Sequence, residues 1–404
     1  MQESVRATPA RRAVGWWPRG CWLPALLPLV AAWPVAAAPT AGPALNVDPA
    51  PTAPYAYLVD LGSGRVLYAR QPHWRFPPAS LTKIMTAYVA FELIATGRLA
   101  PEQTFTVSPE TNHRWAGVGT SMVLASGSRV TVDSLLTGVM TASANDAAVV
   151  LAEGIAGSVD RFTALMNAQA KALGLKDSHF ATPNGWPDQG ATYTSAADLA
   201  RLSQAMLTRH PALYRRYVGR AAMDWHGTRL SSRNPLLGSV AGADGVKTGY
   251  TAQAGYGLVG SAQRGERRLI GVVAGLNSAA VRAAEGGALL EWGFATWQAK
   301  PLFAPRQTVA IARVQQGASR TVPLVAPRAY YLTLRAGEPA RYKLAVRYRG
   351  PLPAPVRAGA EVAELLVVGP GGETQRLPLL AGREVAAAGF LARLRNGLLG
   401  LAGW

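Results

Sequence analysis

Ser80 and Lys83 stand three residues apart in the stretch Pro77-Pro78-Ala79-Ser80-Leu81-Thr82-Lys83-Ile84-Met85-Thr86-Ala87-Tyr88. A serine hydroxyl is a weak nucleophile until a base takes its proton. A lysine becomes such a base when burial or neighbouring cations lower its pKa. The surrounding residues predict the geometry this needs. Two prolines suit the entry to a helix, and Leu81, Ile84, Met85, Tyr88, Val89 and Phe91 keep roughly helical spacing until Gly97. Ser80 therefore falls at or near a helix N-terminus, with Lys83 one turn on along the same face. Free N–H groups and the positive dipole end would favour an oxyanion there. A lone Ser-x-x-Lys is in most chains an ordinary helix start with a capping serine and a solvated lysine, so the chemistry needs further residues.

Two more polar motifs occur downstream. Ser143-Ala144-Asn145 follows a helix expected from about Val132 through Met140, and precedes another running through Val149 to Gly157. By itself it is an N-cap. Lys247-Thr248-Gly249-Tyr250 lies in an expected edge strand, 244–250, beside strands 256–261 and 268–274. By itself Lys247 is an exposed strand lysine.

The elements that must position these motifs follow from the pattern. A hairpin is expected at 55–59 and 65–69, short strands at 104–108 and 120–124, a helix at 159–173, and a turn-rich loop at 179–190 that either lines a cleft or covers one. Helices follow near 195–207 and 279–296. Helices plus a mainly antiparallel sheet make an α+β domain over 55–299. Composition shifts near Lys300-Pro301, and strands separated by Gly and Pro predict a small all-β domain over 300–384, without a catalytic cluster.

Both ends differ from these domains. Residues 1–38 read as a secretory signal peptide, with Arg6, Arg11, Arg12 and Arg19 ahead of an apolar run and Val35-Ala36-Ala37-Ala38 at the cleavage region. Residues 39–54 read as a Pro/Ala-rich linker. The tail 385–404 predicts an amphipathic helix for the membrane interface, with Phe390, Leu391, Leu394, Leu398 and Leu401 on one face and Trp404 as an anchor; packing of that helix on the β domain is the competing reading. The only cysteine, Cys21, lies inside the signal. With no other Cys and no His-x-x-x-His pair, no metal and no cofactor is expected. The formal charge of +18 suggests anionic partners, but no nucleic-acid motif is present and none is expected as a partner.

Taken together, the three motifs agree in order, spacing and context, and here the chain resembles the penicillin-recognising serine acyltransferases. It looks most like the low-molecular-weight penicillin-binding proteins, the serine D-Ala-D-Ala carboxypeptidases, over about residues 50–385, and Leu290-Glu291-Trp292-Gly293-Phe294 adds to the likeness. The resemblance implies a β-lactamase/transpeptidase-like catalytic domain and removal of the terminal D-Ala from peptidoglycan stem peptides ending in D-Ala-D-Ala, with β-lactam antibiotics as inhibitors. It implies that Ser80 attacks the penultimate carbonyl and that Lys83 takes its proton. Ser143 would relay a proton to the leaving nitrogen, and Asn145 would hold the substrate amide and contact Lys83. Lys247 would supply positive potential, Thr248 in the motif closed by Gly249 would bind the carboxylate, Tyr250 would lend a backbone N–H to the oxyanion hole, and Arg282 would orient the carboxylate. A Lys, a hydroxyl and an Arg are suitable partners for a terminal carboxylate. Lys247 near Lys83 should depress the pKa of Lys83.

The sequence departs from that family's pattern at Ala144, where Gly is commoner, and at Tyr250. A β-lactamase shares the motifs but usually carries a loop glutamate, and loop 179–190 holds Asp188 and no Glu. A DD-endopeptidase and a non-enzymatic cell-wall binding protein are the other readings. The implied location is the periplasmic face of the cytoplasmic membrane, held peripherally.

Overall fold

The computed structural model describes residues 47–338, 341–369 and 374–389. The signal peptide expected at 1–38 and the tail from 390 onward lie outside the described residues. The described residues divide into two units, 47–300 with Tyr331–Gly337, and Pro301–Tyr330 with the described residues from Glu338 to Gly389.

The first unit is built on a five-stranded antiparallel sheet. Its strand order is Val66–Arg70, Tyr55–Asp60, Arg267–Leu276, Gly255–Arg264 and Ala243–Thr251. The third motif thus lies on an edge strand, with Lys247 opposite Val259 and Thr248 opposite Leu258. Successive strand residues point to opposite faces, and both faces here are covered. Ile270, Val272 and Val259 enter one hydrophobic cluster with the helical group. Leu269, Val273 and Leu258 enter another, with Leu289 and Leu290 of the helix Ala279–Thr296.

At the centre of the helical group lies the helix Lys83–Ala95. Lys83 through Phe91 are all buried, which suits a helix that is apolar all round better than one with a solvent face. The helices Val132–Thr137, Asn145–Ala156, Val159–Leu173 and Ala196–Arg209 surround the second motif and this core.

Several expectations are corrected. Residues 120–124 form no strand: the N–H groups of Met122 and Leu124 donate to the buried carboxylate of Asp146 at 3.0 Å each, so those donors serve a side chain, not a ladder. The helices Pro109–Trp115 and Pro211–Tyr217, and the hairpin Ala222–Trp225 with Thr228–Ser231, were not legible in the pattern. Residues 47–54, expected as the end of a linker, are fastened to the domain. Ala50 and Ala53 are buried, and Glu285 accepts from the N–H groups of Thr52 and Ala53 at 2.9 Å each.

The second unit is a six-stranded sheet in the order Lys343–Arg347, Glu361–Val368, Thr374–Ala381, Thr321–Val325, Thr308–Gln315 and Leu352–Pro353. The helix expected from Val385 does not begin there. Val385 bridges to Val356 and Ala387 to Gly317, and Val385 and Ala388 are buried, so residues 385–389 finish the β unit. Among the described residues, no helix is long and apolar enough to cross a membrane.

Candidate active site

Ser80 sits in a 3-10 turn, Ala79–Thr82, that runs directly into the Lys83 helix. Lys83 is fully buried, and its Nζ is 2.8 Å from Ser80 Oγ. The same Nζ donates to Asn145 Oδ1 at 2.8 Å and to the backbone oxygen of Asn184 at 2.9 Å. Burial holds the Lys83 pKa well below the usual lysine range; the Lys247 charge pushes the same way, and Asp146 opposes them.

The second motif is placed by an unusual backbone. A π-helical turn, Gly138–Ala142, ends at Ser143, which is left-handed at φ 64°. Strain of this kind is tolerated where the surroundings fix it. Here Thr120 Oγ1 donates to Ser143 O at 2.6 Å, and Asn145 N–H donates to Thr120 O at 2.7 Å. Asn145 Nδ2 donates to Val118 O at 3.0 Å, which turns the amide oxygen toward Lys83.

The edge strand brings up the third motif. A Cβ on Gly249 would lie 2.8 Å from Pro78 O, so only glycine lets the strand approach the Ser80 turn this closely. Lys247 is buried, and its Nζ donates to Thr248 O at 2.9 Å. Burial, then Arg282, then Arg233 bring its pKa down to about 7. Arg282 lies over the ring of Tyr256 at 5.4 Å, and Tyr256 stacks on Tyr250 at 4.1 Å.

One cavity of about 520 Å³ collects these groups, lined among others by Ser80, Ser143, Asn145, Thr248, Tyr250 and Arg282. All nine site residues expected from the sequence are therefore at this cavity or in direct contact with a residue that lines it. Of the two roles open to loop 179–190, lining a cleft or covering one, the structure shows lining: Asn184, Gly185 and Trp186 stand in the cavity wall. Arg233, Gly119 and Thr120 also line the cavity, from segments that carry no motif and were not legible as site residues. The Pro-Asn-Gly-Trp run at 183–186 was the available signal for the loop.

A catalytic unit of helices and antiparallel sheet followed by an all-β unit is the architecture of penicillin-binding proteins. The penicillin-binding protein 5 of Haemophilus influenzae superposes with a TM-score of 0.71 at 32% identity, covering 83% of this chain and 98% of that one. The penicillin-binding protein D2 of Listeria monocytogenes, in its ampicillin-bound form, superposes at 0.55 and 30% identity, over 60% of this chain and 97% of that one. Residues 44–278 match the D-alanyl-D-alanine carboxypeptidase family, and 297–387 match the C-terminal domain of penicillin-binding protein 5. The DacD carboxypeptidase of Salmonella typhimurium is 35% identical over 370 residues, 88% of this chain and 94% of the relative. The DacF carboxypeptidase of Bacillus subtilis is 32% identical over 84% of this chain. The chain belongs to the D-alanyl-D-alanine carboxypeptidase family. Its expected class, a serine-type hydrolase of D-Ala-D-Ala termini, is that of the family, and the endopeptidase and non-enzymatic readings are not favoured.

Proposed function

We propose that Ser80 is the acylated residue of this carboxypeptidase and that Lys83 is its base. The observation that carries the reading is the 2.8 Å contact between Ser80 Oγ and the Nζ of a wholly buried lysine. Two of the three Lys83 partners are amide oxygens, which only accept. A neutral amine offers them its two N–H groups and keeps its lone pair for the Ser80 hydroxyl, which is the arrangement a base requires.

The peptide's terminal carboxylate docks among Thr248, Arg282 and the Lys247 charge. Ser80 Oγ bonds to the carbonyl carbon of the penultimate D-alanine while its proton passes to Lys83. The oxyanion is held by the N–H groups of Ser80 and Tyr250. The C–N bond then breaks, Ser143 passes a proton to the leaving D-alanine nitrogen, and water hydrolyses the resulting ester. Penicillins acylate Ser80 by the same attack, opening the lactam in place of releasing D-alanine. Mass spectrometry of products from a D-Ala-D-Ala pentapeptide tests the reading. Free D-alanine and the tetrapeptide are expected from the wild type and not from Ser80→Ala, and turnover by Ser80→Ala would overturn it.

The basic-apolar-small pattern of residues 1–38 supports export, and the apolar face of the segment from Phe390 to Trp404 supports peripheral attachment at the periplasmic side of the membrane. A chain ended after Gly389 should keep its activity and leave the membrane fraction, and a truncated protein that stayed bound would remove the anchor.

A further inference from the structure

Trp186 is 39% exposed and lines the catalytic cavity. Its main-chain N–H donates to Asn184 Oδ1 at 3.0 Å, and its ring meets Trp115 edge-on at 5.5 Å and 82°. Between this indole and the catalytic amide lies Gly119. A Cβ there would be 2.9 Å from Asn145 Nδ2 and 3.2 Å from the Trp186 ring, so only glycine lets the catalytic amide and the indole pack this closely, side by side in the cavity wall. The cavity is polarised. Lys247, Arg233 and Arg282 gather the cationic charge at one end, beside the Tyr250–Tyr256 stack, while Gly119, Thr120 and Trp186 line the cavity without a charged group.

A substrate with a terminal carboxylate is oriented by that asymmetry. Its leaving group takes the cationic end, so the acyl portion must leave the nucleophile toward Asn145, Gly119 and Trp186. We infer that Trp186 is a specificity-determining residue whose exposed indole packs against the side group of the acyl donor, favouring donors with a flat or aryl group there over donors with a short one. This inference rests on the assignment of Ser80 as the nucleophile. An aromatic pair contributes roughly 0.5–1.5 kcal/mol beyond burial, equivalent to about a 2- to 12-fold preference.

Two penicillins that differ only in this group isolate the effect: benzylpenicillin, and its analogue with an acetamido group in place of phenylacetamido. Second-order acylation rates are measured on the full chain for the wild type, Trp186→Ala and Trp186→Phe. The benzyl-to-acetamido rate ratio should fall by about tenfold in Trp186→Ala and be largely restored in Trp186→Phe, with the acetamido rate within about twofold of wild type throughout. An unchanged ratio would overturn the inference. A parallel fall of both rates would also overturn it, assigning Trp186 to support of the Asn184 turn. A wild type acylated by neither compound would overturn the Ser80 assignment itself, a failure separate from any change in the ratio.

Discussion

Lys83 Nζ donates to the backbone oxygen of Asn184 at 2.9 Å, across 101 residues of chain. The contact ties the base to a loop held from below: Phe76 and Thr194 exchange backbone hydrogen bonds at 2.8 and 3.0 Å just before the nucleophile turn. Thr86 Oγ1, one turn along the Lys83 helix, also donates to Pro183 O. The loop that lines the cleft thus also fixes the amine.

Gly185 is left-handed at φ 73°, and a Cβ there would fall inside van der Waals contact with Ala79 O, on the backbone beside Ser80. Gly185→Ala must therefore either strain the turn or push it off the nucleophile. A loss of about 2 kcal/mol in stability is expected, with a fall of at least tenfold in penicillin acylation. Thermal melts and labelling kinetics check both; wild-type values for each would contradict the close packing.

Lys83→Met should separate stability from activity. An apolar chain of similar length removes the desolvation cost of the buried amine but leaves Asn145 Oδ1 and Asn184 O without its N–H groups. The two effects oppose each other, so the melting temperature should shift by only a few degrees, while acylation falls by about 10²–10⁴, the usual contribution of a positioned base. Comparable acylation rates in the variant would remove Lys83 from the base role.

The depressed pKa values set the pH dependence. Activity in the acid range should fall as Lys83 becomes protonated, since a base must be neutral. Lys247, at about 7 in the free protein, loses its charge as pH rises through that value. A bound carboxylate favours the charged form, so binding at pH 8 should take up a fraction of a proton. Titration calorimetry of Ser80→Ala with peptide in two buffers of different ionisation enthalpy measures that fraction, and zero uptake would contradict a carboxylate beside Lys247.

The same lysine affects folding. Its folded pKa lies below the unfolded value of 10.5, so the folded state binds fewer protons between about 7 and 10.5. The destabilising effect of the buried charge is complete below pH 7 and is relieved as pH rises through that window. Lys247→Met should raise the melting temperature most at pH 6 and progressively less toward pH 10. A gain that grows with pH would reverse the sign and refute it.

Asp146 accepts from the Ser121 hydroxyl at 2.6 Å as well as from the N–H groups of Met122 and Leu124, and it is 1% exposed. Asp146→Ala leaves those buried donors without a partner and should cost about 3 kcal/mol. Because this segment also carries Thr120, which braces the Ser143 turn, acylation should fall with stability. Denaturant melts give the first quantity and labelling the second.

The amino-acid order alone determined the local pieces of this protein. Ser80 and Lys83 lie one helical turn apart, so their proximity follows from helix geometry, and the edge strand of Lys247-Thr248-Gly249 and the break near Lys300-Pro301 follow from apolar alternation and composition. Tertiary structure decided what no periodicity encodes. Residues 120–124 gave up a strand because a buried carboxylate captured their N–H groups. Asn184 became a ligand of Lys83 through its backbone oxygen, which every residue possesses and no side-chain pattern can mark. Arg233 and Trp186 reached the cavity from segments whose course depends on packing against distant parts of the chain. Side-chain chemistry and short-range spacing are written in the sequence, whereas contacts made by main-chain atoms and by loops across a hundred residues are fixed only when the core that holds both ends has formed.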